Sequence, residues 1–199
     1  MTSRNLLRLS PKARLSPMAE PRATTEAAEI TLRDLDRTDF DWLLALNNAS
    51  VPHVNHLEQA DLAEILALAA YARGSFRDGA PAGALIALRP GTAYASSHYR
   101  WFVRHHSDFL YIDRVMIDDA ARQGGHGRRL YADIERFARE SGAGHLACEV
   151  NSQPPNPVSM GFHEALGFRP VGELANEDRS KCVVLLMKPI DGRPAGLSE

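Results

Sequence analysis

The sequence is poor in cysteine, in charge of one sign and in long apolar runs. Its 199 residues contain two cysteines, too few for a disulfide framework, and a reducing cytoplasm suits such thiols. The formal net charge of -2 offers no basic surface for nucleic acid or for an anionic membrane. No apolar run approaches the ~20 residues that span a bilayer. We therefore expect a cytoplasmic protein with no nucleic-acid partner and no membrane partner, and we assign no metal ligands.

Three segments differ in composition. Residues 1–28 are rich in Arg and Ser and poor in acidic residues, which is typical of a transit peptide. Prolines interrupt any long helix there, so we favour a disordered tail or a translation start at Met18. Residues 29–190 are long enough for one domain with its own core. Residues 191–199 are interpreted as a C-terminal tail.

Hydrophobic periodicity predicts an α+β, or mixed α/β, fold. Short apolar or alternating runs predict the strands Glu29–Leu35, Ala82–Leu88, Phe109–Asp118, His145–Val150 and Lys181–Lys188. Strand, glycine loop, helix and strand follow one another from Phe109 to Val150. That order is a βαβ unit, so part of the sheet should be parallel.

Apolar residues at helical spacing predict four helices. The first contains Phe40, Leu43, Leu44 and Leu46, with Asp36 or Thr38 as its N-cap. The second has Leu62, Ile65, Leu66 and Ala69 on one face and is expected to end at Gly74. The third carries Leu130, Ile134, Phe137 and Ala138 on one face, and the fourth is the run "NPVSMGFHEALG" from Asn156 to Gly167. Residues 91–108 are expected to form a long loop with one helical turn.

The run "RQGGHGRRLYADI" places three glycines directly before an amphipathic helix. The first N–H groups of a helix lack intrahelical partners, and glycine lets a ligand approach them closely. Such a loop can hold the oxygens of a pyrophosphate. A plain turn needs fewer glycines, so we favour a phosphate ligand over a turn without one.

Two common phosphate motifs do not fit this loop. A Walker A loop requires Lys-Ser or Lys-Thr after its last glycine, and here Arg128 and Arg129 follow. The dinucleotide fingerprint requires G-x-G-x-x-G, and Leu130 occupies the place of its third glycine. The ligand is therefore neither a nucleoside triphosphate nor a nicotinamide dinucleotide.

The pattern R-x-x-G-x-G at Arg122, Gly125 and Gly127 resembles the acyl-CoA loop of the GNAT acetyltransferase superfamily. The run "NPVSMGFHEALGF" resembles that superfamily's second signature, on the helix after the next strand. The longer run "CEVNSQPPNPVSMGFHEALGF" is similar to a bacterial subgroup of uncharacterised members. The resemblance implies a central mixed sheet of about six to seven strands, splayed parallel strands at a cofactor cleft, and acetyl-CoA as acyl donor.

The resemblance also implies cofactor-binding positions. The strand backbone at Val115, Met116 and Ile117 would hold the pantetheine arm. The pyrophosphate would lie against the loop residues Arg122, Gln123, Gly124, Gly125, His126, Gly127 and Arg128.

On the second motif, Asn156 precedes a proline, as an N-cap does, and Gly167 stands where the helix should end. Asn156, Ser159 and His163 fall on one face at i, i+3 and i+7, and this face would meet the cofactor. The opposite stripe of Val158, Phe162 and Leu166 would pack into the core.

Two proton-handling groups are needed, because the amine must be neutral to attack and the leaving thiolate needs a proton or a donor. The superfamily often uses a tyrosine as that donor, where this chain has His163. An imidazole could protonate or hydrogen-bond the thiolate, or be a passive helix residue. Glu149 is the leading candidate for the base, and Asp113 is the other. Either carboxylate could instead pair with Arg114, and a base acting through a water molecule is a further alternative.

The resemblance, with these residues, implies an N-acetyltransferase that moves an acetyl group from acetyl-CoA to a primary amine of a small molecule or peptide. Direct attack is favoured over an acyl-enzyme on Cys148, since no Cys-His-Asp arrangement accompanies that cysteine. The alternative is a non-catalytic acyl-CoA-binding sensor or interaction module. A homodimer is the default oligomer. Pocket walls or ordinary packing residues are expected at His53, His56, Tyr94, Ser97, His98, Tyr99 and Trp101.

Overall fold

The computed structural model describes residues 29–176 and 180–190, which form a seven-stranded mixed sheet flanked by helices. The strands are β1 (Ile30–Asp34), β2 (Tyr71–Arg77), β3 (Ala80–Leu88), β4 (Leu110–Ile117), β5 (His145–Gln153), β6 (Arg169–Ala175) and β7 (Cys182–Pro189). The helices are α1 (Phe40–Ala49), α2 (Gln59–Leu68), α3 (Ser97–His105), α4 (His126–Glu140) and α5 (Pro157–Ala165). The expected fold class and strand number are confirmed. The two predicted tails, residues 1–28 and 191–199, lie outside the described residues.

The strand order is β1-β2-β3-β4-β5-β7-β6. The pair β4–β5 is parallel, as the βαβ order predicts, and the other neighbours are antiparallel. This parallel pair has only two partner pairs, Leu110 with Leu146 and Tyr111 with Ala147. Both strands continue for several residues beyond these pairs, so they separate at the centre of the sheet.

Alternating side chains of the central strands pack against helices on both faces of the sheet. Leu85 and Ala87 of β3 belong to a core that includes Leu130 and Ile134 of α4. The neighbouring positions of β3 pack toward the other side, where α1, α2 and α3 cover the sheet. The cleft between β4 and β5 therefore opens between two helical layers.

The expectation that Gly74 ends the second helix is wrong. Helix α2 ends at Leu68, and Gly74 lies within β2, a strand that the sequence analysis did not predict. A Cβ at Gly74 would lie 2.7 Å from a ring carbon of Phe76 and 2.9 Å from Leu35. Close packing of neighbouring side chains, and not a helix end, explains this glycine.

The expected long loop before β4 is also wrong over half of its length, because residues Ser97–His105 form helix α3. Ser96 caps it by accepting a hydrogen bond from the Tyr99 N–H, and Tyr99 and Phe102 are its buried residues. Two buried aromatics are too few for a clear periodic signal at the sequence level. Strand β6, which is exposed at most positions, was missed for the same reason.

Candidate active site

The diverging strands β4 and β5 open into a cavity of about 550 Å³. Ile112 to Val115 of β4 and Cys148 to Asn151 of β5 contribute to its lining. Helix α5 contributes Asn156, Ser159 and His163, so the polar face predicted from their spacing does line one cavity. The remaining walls come from the α1–α2 loop, α2, the start of α3 and the segment before it, Tyr131 of α4, and Lys181. A cavity of this size and polarity can hold a small ligand and its reacting groups.

Glu149 lies in this cavity and is held by two side chains. The Tyr111 hydroxyl donates to its carboxylate at 2.8 and 3.0 Å. Nδ1 of His98 lies 2.9 Å from Oε1 of Glu149. His98 comes from α3, so the helix that the sequence analysis missed delivers an imidazole to the predicted base.

Asp113, the other candidate base, is engaged in structural contacts. Nε of Arg114 donates to it at 2.6 Å and the Tyr94 hydroxyl donates at 2.6 Å. The Asp113 and Arg114 side chains are both 5% exposed, and Arg114 also donates to Asn47 at 2.6 Å. Ile86 pairs with Arg114 and the next residue of β3 pairs with Ile112, so a bulge lies at Asp113. Asp113 is therefore the ion-pair partner of Arg114, as one reading of the sequence allowed.

His163 is 3% exposed and its ring has a defined tautomer. Nδ1 lies 2.7 Å from the Ser159 carbonyl oxygen, which can only accept, so Nδ1 carries a proton. Nε2 then accepts the hydrogen bond from the Tyr131 hydroxyl, at 2.6 Å. Burial lowers the pKa of His163, so the imidazole is neutral near pH 7 and is not a ready proton donor.

The hydroxyl of Tyr131 belongs to this end of the cavity. Tyr131 is fully buried on α4, lines the cavity and packs edge-on against Phe162 and Phe168. Burial raises its pKa well above the ordinary value, so the hydroxyl keeps its proton. Tyr131 was not among the predicted site residues. It follows Leu130 directly in the sequence, and its only local signal is that it lies next to the core face of α4.

Helix α5 begins and ends as its sequence predicts. Asn156 accepts a hydrogen bond from the Ser159 N–H at 3.1 Å, Pro157 is the first helical residue, and Gly167 has a φ of +93°. The expected apolar stripe is wrong at Val158, which is 74% exposed. Phe162 and Leu166 pack against the core as expected. Val158 lies in the first turn of α5, and its side chain faces solvent there.

Cys148 is buried at 3% exposure, and burial raises the pKa of its thiol well above the ordinary value. A thiol in that state is a poor nucleophile. This environment agrees with direct attack rather than an acyl-enzyme on Cys148.

The three glycines before α4 have different structural reasons. Gly125 is the N-cap of α4 with a φ of +90°, and a Cβ there would meet no atom within 4 Å. A Cβ at Gly127 would lie 3.2 Å from the Phe162 ring, and one at Gly124 would collide with the Arg77 guanidinium. Packing within the protein thus accounts for two of the glycines, and only Gly125 leaves open space beside the helix start.

The backbone at this helix start suits the pyrophosphate of acetyl-CoA. No side chain of the described residues caps α4 at Gly125, and the first helical hydrogen bond runs from the Arg129 N–H to the Gly125 carbonyl. The N–H groups of His126, Gly127 and Arg128 therefore precede the first helical bond and are available to an anion.

The side chains of the loop contribute unequally. The His126 ring is 1% exposed and bonded to Ser75 at 2.8 Å, so only its backbone can face a ligand. Arg122 is exposed and pairs with Asp119 at 2.8 Å, and Arg128 is exposed. Gln123 has a positive φ of 62°. In β4, Val115 lines the cavity, whereas the Met116 side chain is buried toward α1 and α2, and Ile117 packs toward α4.

The structure thus brings Glu149, Asn156, Ser159 and His163 to one cavity, and places the glycine loop outside its lining. Helix α4 joins the two regions, because Tyr131 lies six residues after Gly125, about 9 Å along the axis. His98, Tyr111 and Tyr131 are the side chains that sequence reasoning did not assign to chemistry. Among the described residues, no His, Cys, Asp and Glu cluster could hold a metal ion. Within the same ranges, no helix is long and apolar enough to cross a membrane.

Comparisons with known proteins agree with this fold. The model of the acetyltransferase (GNAT) family matches residues 33–168, and no curated protein matches the sequence. The Escherichia coli ribosomal-protein-S18-alanine N-acetyltransferase is 16% identical with a TM-score of 0.63, over 86% of this chain and 100% of that one. Ard1 of Thermoplasma volcanium is 16% identical with a TM-score of 0.66, over 81% and 97%.

A third structure, the putative acetyltransferase yncA of Salmonella typhimurium, was solved with acetyl-CoA. It is 17% identical with a TM-score of 0.62, over 86% of this chain and 100% of that one. At these identities the likeness is one of fold.

Proposed function

Because the chain belongs to the acetyltransferase (GNAT) family, whose acyl donor is acetyl-CoA, we propose that it acetylates a primary amine by direct attack on the thioester. The acceptor is a small molecule or a peptide. The observation that carries this proposal is the cavity between β4 and β5, which has a carboxylate with an imidazole at one place and a buried tyrosine with an imidazole at another.

The cofactor is assigned to two backbone elements. The N–H groups at the start of α4 would hold its pyrophosphate, with Arg122 and Arg128 adding positive charge. The unpaired half of β4, at Val115 to Ile117, would bind the pantetheine arm, because β5 has diverged and leaves that edge of the strand open. Acetyl-CoA bound in this way supplies the activated acyl group.

The side chains then divide the chemistry. At one end of the cavity, the pair formed by Glu149 and His98 accepts the proton that the amine loses. At the other end, Tyr131 and His163 would meet the sulfur of the leaving group. The Tyr131 hydroxyl would turn its proton from Nε2 of His163 to the departing sulfur, because the neutral His163 ring already donates its one proton to the Ser159 carbonyl oxygen. Asn156 and Ser159 keep α5 and the His163 ring in place through their hydrogen bonds.

The test is release of free thiol from acetyl-CoA in the presence of primary amines: amino acids, polyamines, aminoglycosides and peptides with free N-termini. We expect at least one class to be acetylated, and His163→Ala to lower turnover while the acetyl-CoA affinity stays unchanged. A folded protein that binds acetyl-CoA and acetylates none of these classes would instead be the non-catalytic acyl-CoA-binding module. A protein that does not bind acetyl-CoA would overturn both functions.

A further inference from the structure

We propose that His98 is the catalytic base of this site, and that Glu149 acts through it as a positioning residue. This inference rests on the proposed function and names the atom that receives the amine's proton, Nε2 of His98. It differs from the expectation that the Glu149 carboxylate itself takes the proton.

The hydrogen bond between His98 and Glu149 determines which ring nitrogen is basic. A carboxylate oxygen only accepts, so the 2.9 Å contact requires a proton on Nδ1 of His98. In the neutral ring, Nε2 then carries the free lone pair. The hydrogen bonds of the described residues engage His98 only through Nδ1. The His98 side chain is 24% exposed and lines the cavity, so a ligand there can reach it.

The two carboxylates of the site are less available. Oε1 of Glu149 accepts from both His98 and Tyr111, and Oε2 accepts from Tyr111. Both oxygens of Asp113 are engaged by Tyr94 and Arg114. Each of these carboxylate oxygens therefore already accepts a hydrogen bond from the protein. Nε2 of His98 has no such bond among the described residues, and imidazole is the side chain best suited to exchange a proton near neutral pH.

A carboxylate behind an imidazole has a known chemical consequence. It holds the ring in one tautomer and stabilises the imidazolium that forms when the ring takes a proton. Glu149 is well placed for this, because Tyr111 fixes its carboxylate from the side of β4. The backbone of His98 lies in the first turn of α3, which Ser96 caps two residues earlier, and the ring is held by its bond to Glu149.

The acetyl transfer balances with this assignment. The amine binds in its neutral form, and its nitrogen lone pair forms the new C–N bond to the acetyl carbon. The electrons of the C–S bond leave with the sulfur, next to the Tyr131 hydroxyl. The proton of the amine passes to Nε2 of His98. The negative charge of Glu149 then stabilises the imidazolium, which keeps both of its protons. His98 returns the proton to solvent through the open cavity before the next turnover.

Other charged and titratable groups face His98 around the cavity, and they contribute to the background of its pH dependence. They are Asp113 and Arg114 on β4, Tyr94 before α3, His53 and His56 on the α1–α2 loop, Asp61 and Glu64 on α2, Tyr131 on α4, Cys148 on β5, His163 on α5, and Lys181. Tyr111 on β4 contacts Glu149 directly. None of them is changed in the variants below, so their contribution is common to all the profiles compared.

The test compares the pH dependence of kcat for the wild type, His98→Asn, Glu149→Gln and the control His105→Asn. An asparagine at 98 retains an amide N–H near the Nδ1 position and can still bond Glu149, but it has no basic nitrogen. His105 lies on the exposed side of the same helix and outside the cavity, so its replacement controls for changes in α3. Thermal unfolding of each variant verifies that it is folded.

We expect His98→Asn to lower kcat by about 10²-fold or more, the usual contribution of a general base, with KM for acetyl-CoA unchanged. Its profile should lack the fall in kcat on the acid side. Glu149→Gln should keep that fall but move it to lower pH, because loss of the negative charge disfavours the imidazolium. A His98→Asn variant that keeps wild-type kcat, with the acid-side fall lost only in Glu149→Gln, would overturn the assignment and make Glu149 the base.

The tautomer of His98 provides a readout that needs no acceptor amine. Nitrogen-15 NMR of the imidazole ring should show Nδ1 protonated in the neutral form, because that nitrogen faces the Glu149 carboxylate. A neutral ring protonated on Nε2 would contradict the assignment, whatever the activity. A wild-type protein with the expected tautomer that acetylates no amine would refute the proposed function, and the catalytic role of His98 with it, while the geometry remains correct.

Discussion

The glycine loop permits a sharp prediction for Gly125→Glu. A Cβ at this position points into open space beside the N-terminus of α4, so the new carboxylate can occupy the place of the pyrophosphate. If the carboxylate turns aside so that both groups are present ~6 Å apart, at an effective dielectric of ~20, one pair of like charges costs about 3 kcal/mol. That value corresponds to a loss of roughly 100-fold in acetyl-CoA affinity, which isothermal titration would measure.

Backbone strain must be separated from charge in this experiment. The φ of +90° at Gly125 costs any L-residue roughly 1–2 kcal/mol of stability, so Gly125→Ala has the strain without the charge and should bind acetyl-CoA nearly as the wild type does. Gly142→Glu, at a φ of +75° with no neighbour within 4 Å of its Cβ, adds the same charge at the other end of α4. Its affinity should also be unchanged. Wild-type affinity in Gly125→Glu would refute the location of the pyrophosphate.

Three further predictions concern single contacts. Tyr131→Phe removes the hydrogen bond to the buried His163 ring and should cost about 1–3 kcal/mol in denaturant unfolding, together with a fall in kcat; unchanged stability and kcat would exclude the pair from the site. Arg33 bonds Asp39 and lowers the pKa of that carboxyl to about 2 from 3.8. The folded-state pKa is depressed, so its stabilisation is complete above pH 3.8 and is lost as pH falls toward 2. Asp39→Asn should flatten the stability profile in that window by about 1–2 kcal/mol, since Arg33 is half exposed and partly screened. Replacing Arg114 by alanine leaves a buried carboxylate unpaired and should destabilise the fold by about 3–5 kcal/mol, and a smaller loss would show that water solvates that carboxylate.

Local sequence patterns were sufficient to predict the helices and strands that are marked by an apolar face, a capping residue or a continuous apolar run. The apolar face of α4, the cap at Asn156, the glycine at 167 and the continuous apolar run of β3 each depend on contacts within one segment. The βαβ order predicted the parallel pair, because two consecutive strands with a helix between them rarely pair in another way. The family and its acyl donor followed from two motifs within these segments.

Only the tertiary structure determined which side chains meet in the cavity. His98 reaches Glu149 from a helix 51 positions earlier in the chain, and Tyr131 reaches His163 across 32 positions. No local periodicity encodes such contacts, because they depend on how helices on opposite faces of the sheet pack around the separation of β4 and β5. The glycine loop shows the same division. Its sequence predicted a close backbone approach, but only packing against Arg77 and Phe162 distinguishes Gly124 and Gly127 from Gly125, the one glycine that leaves space for a ligand.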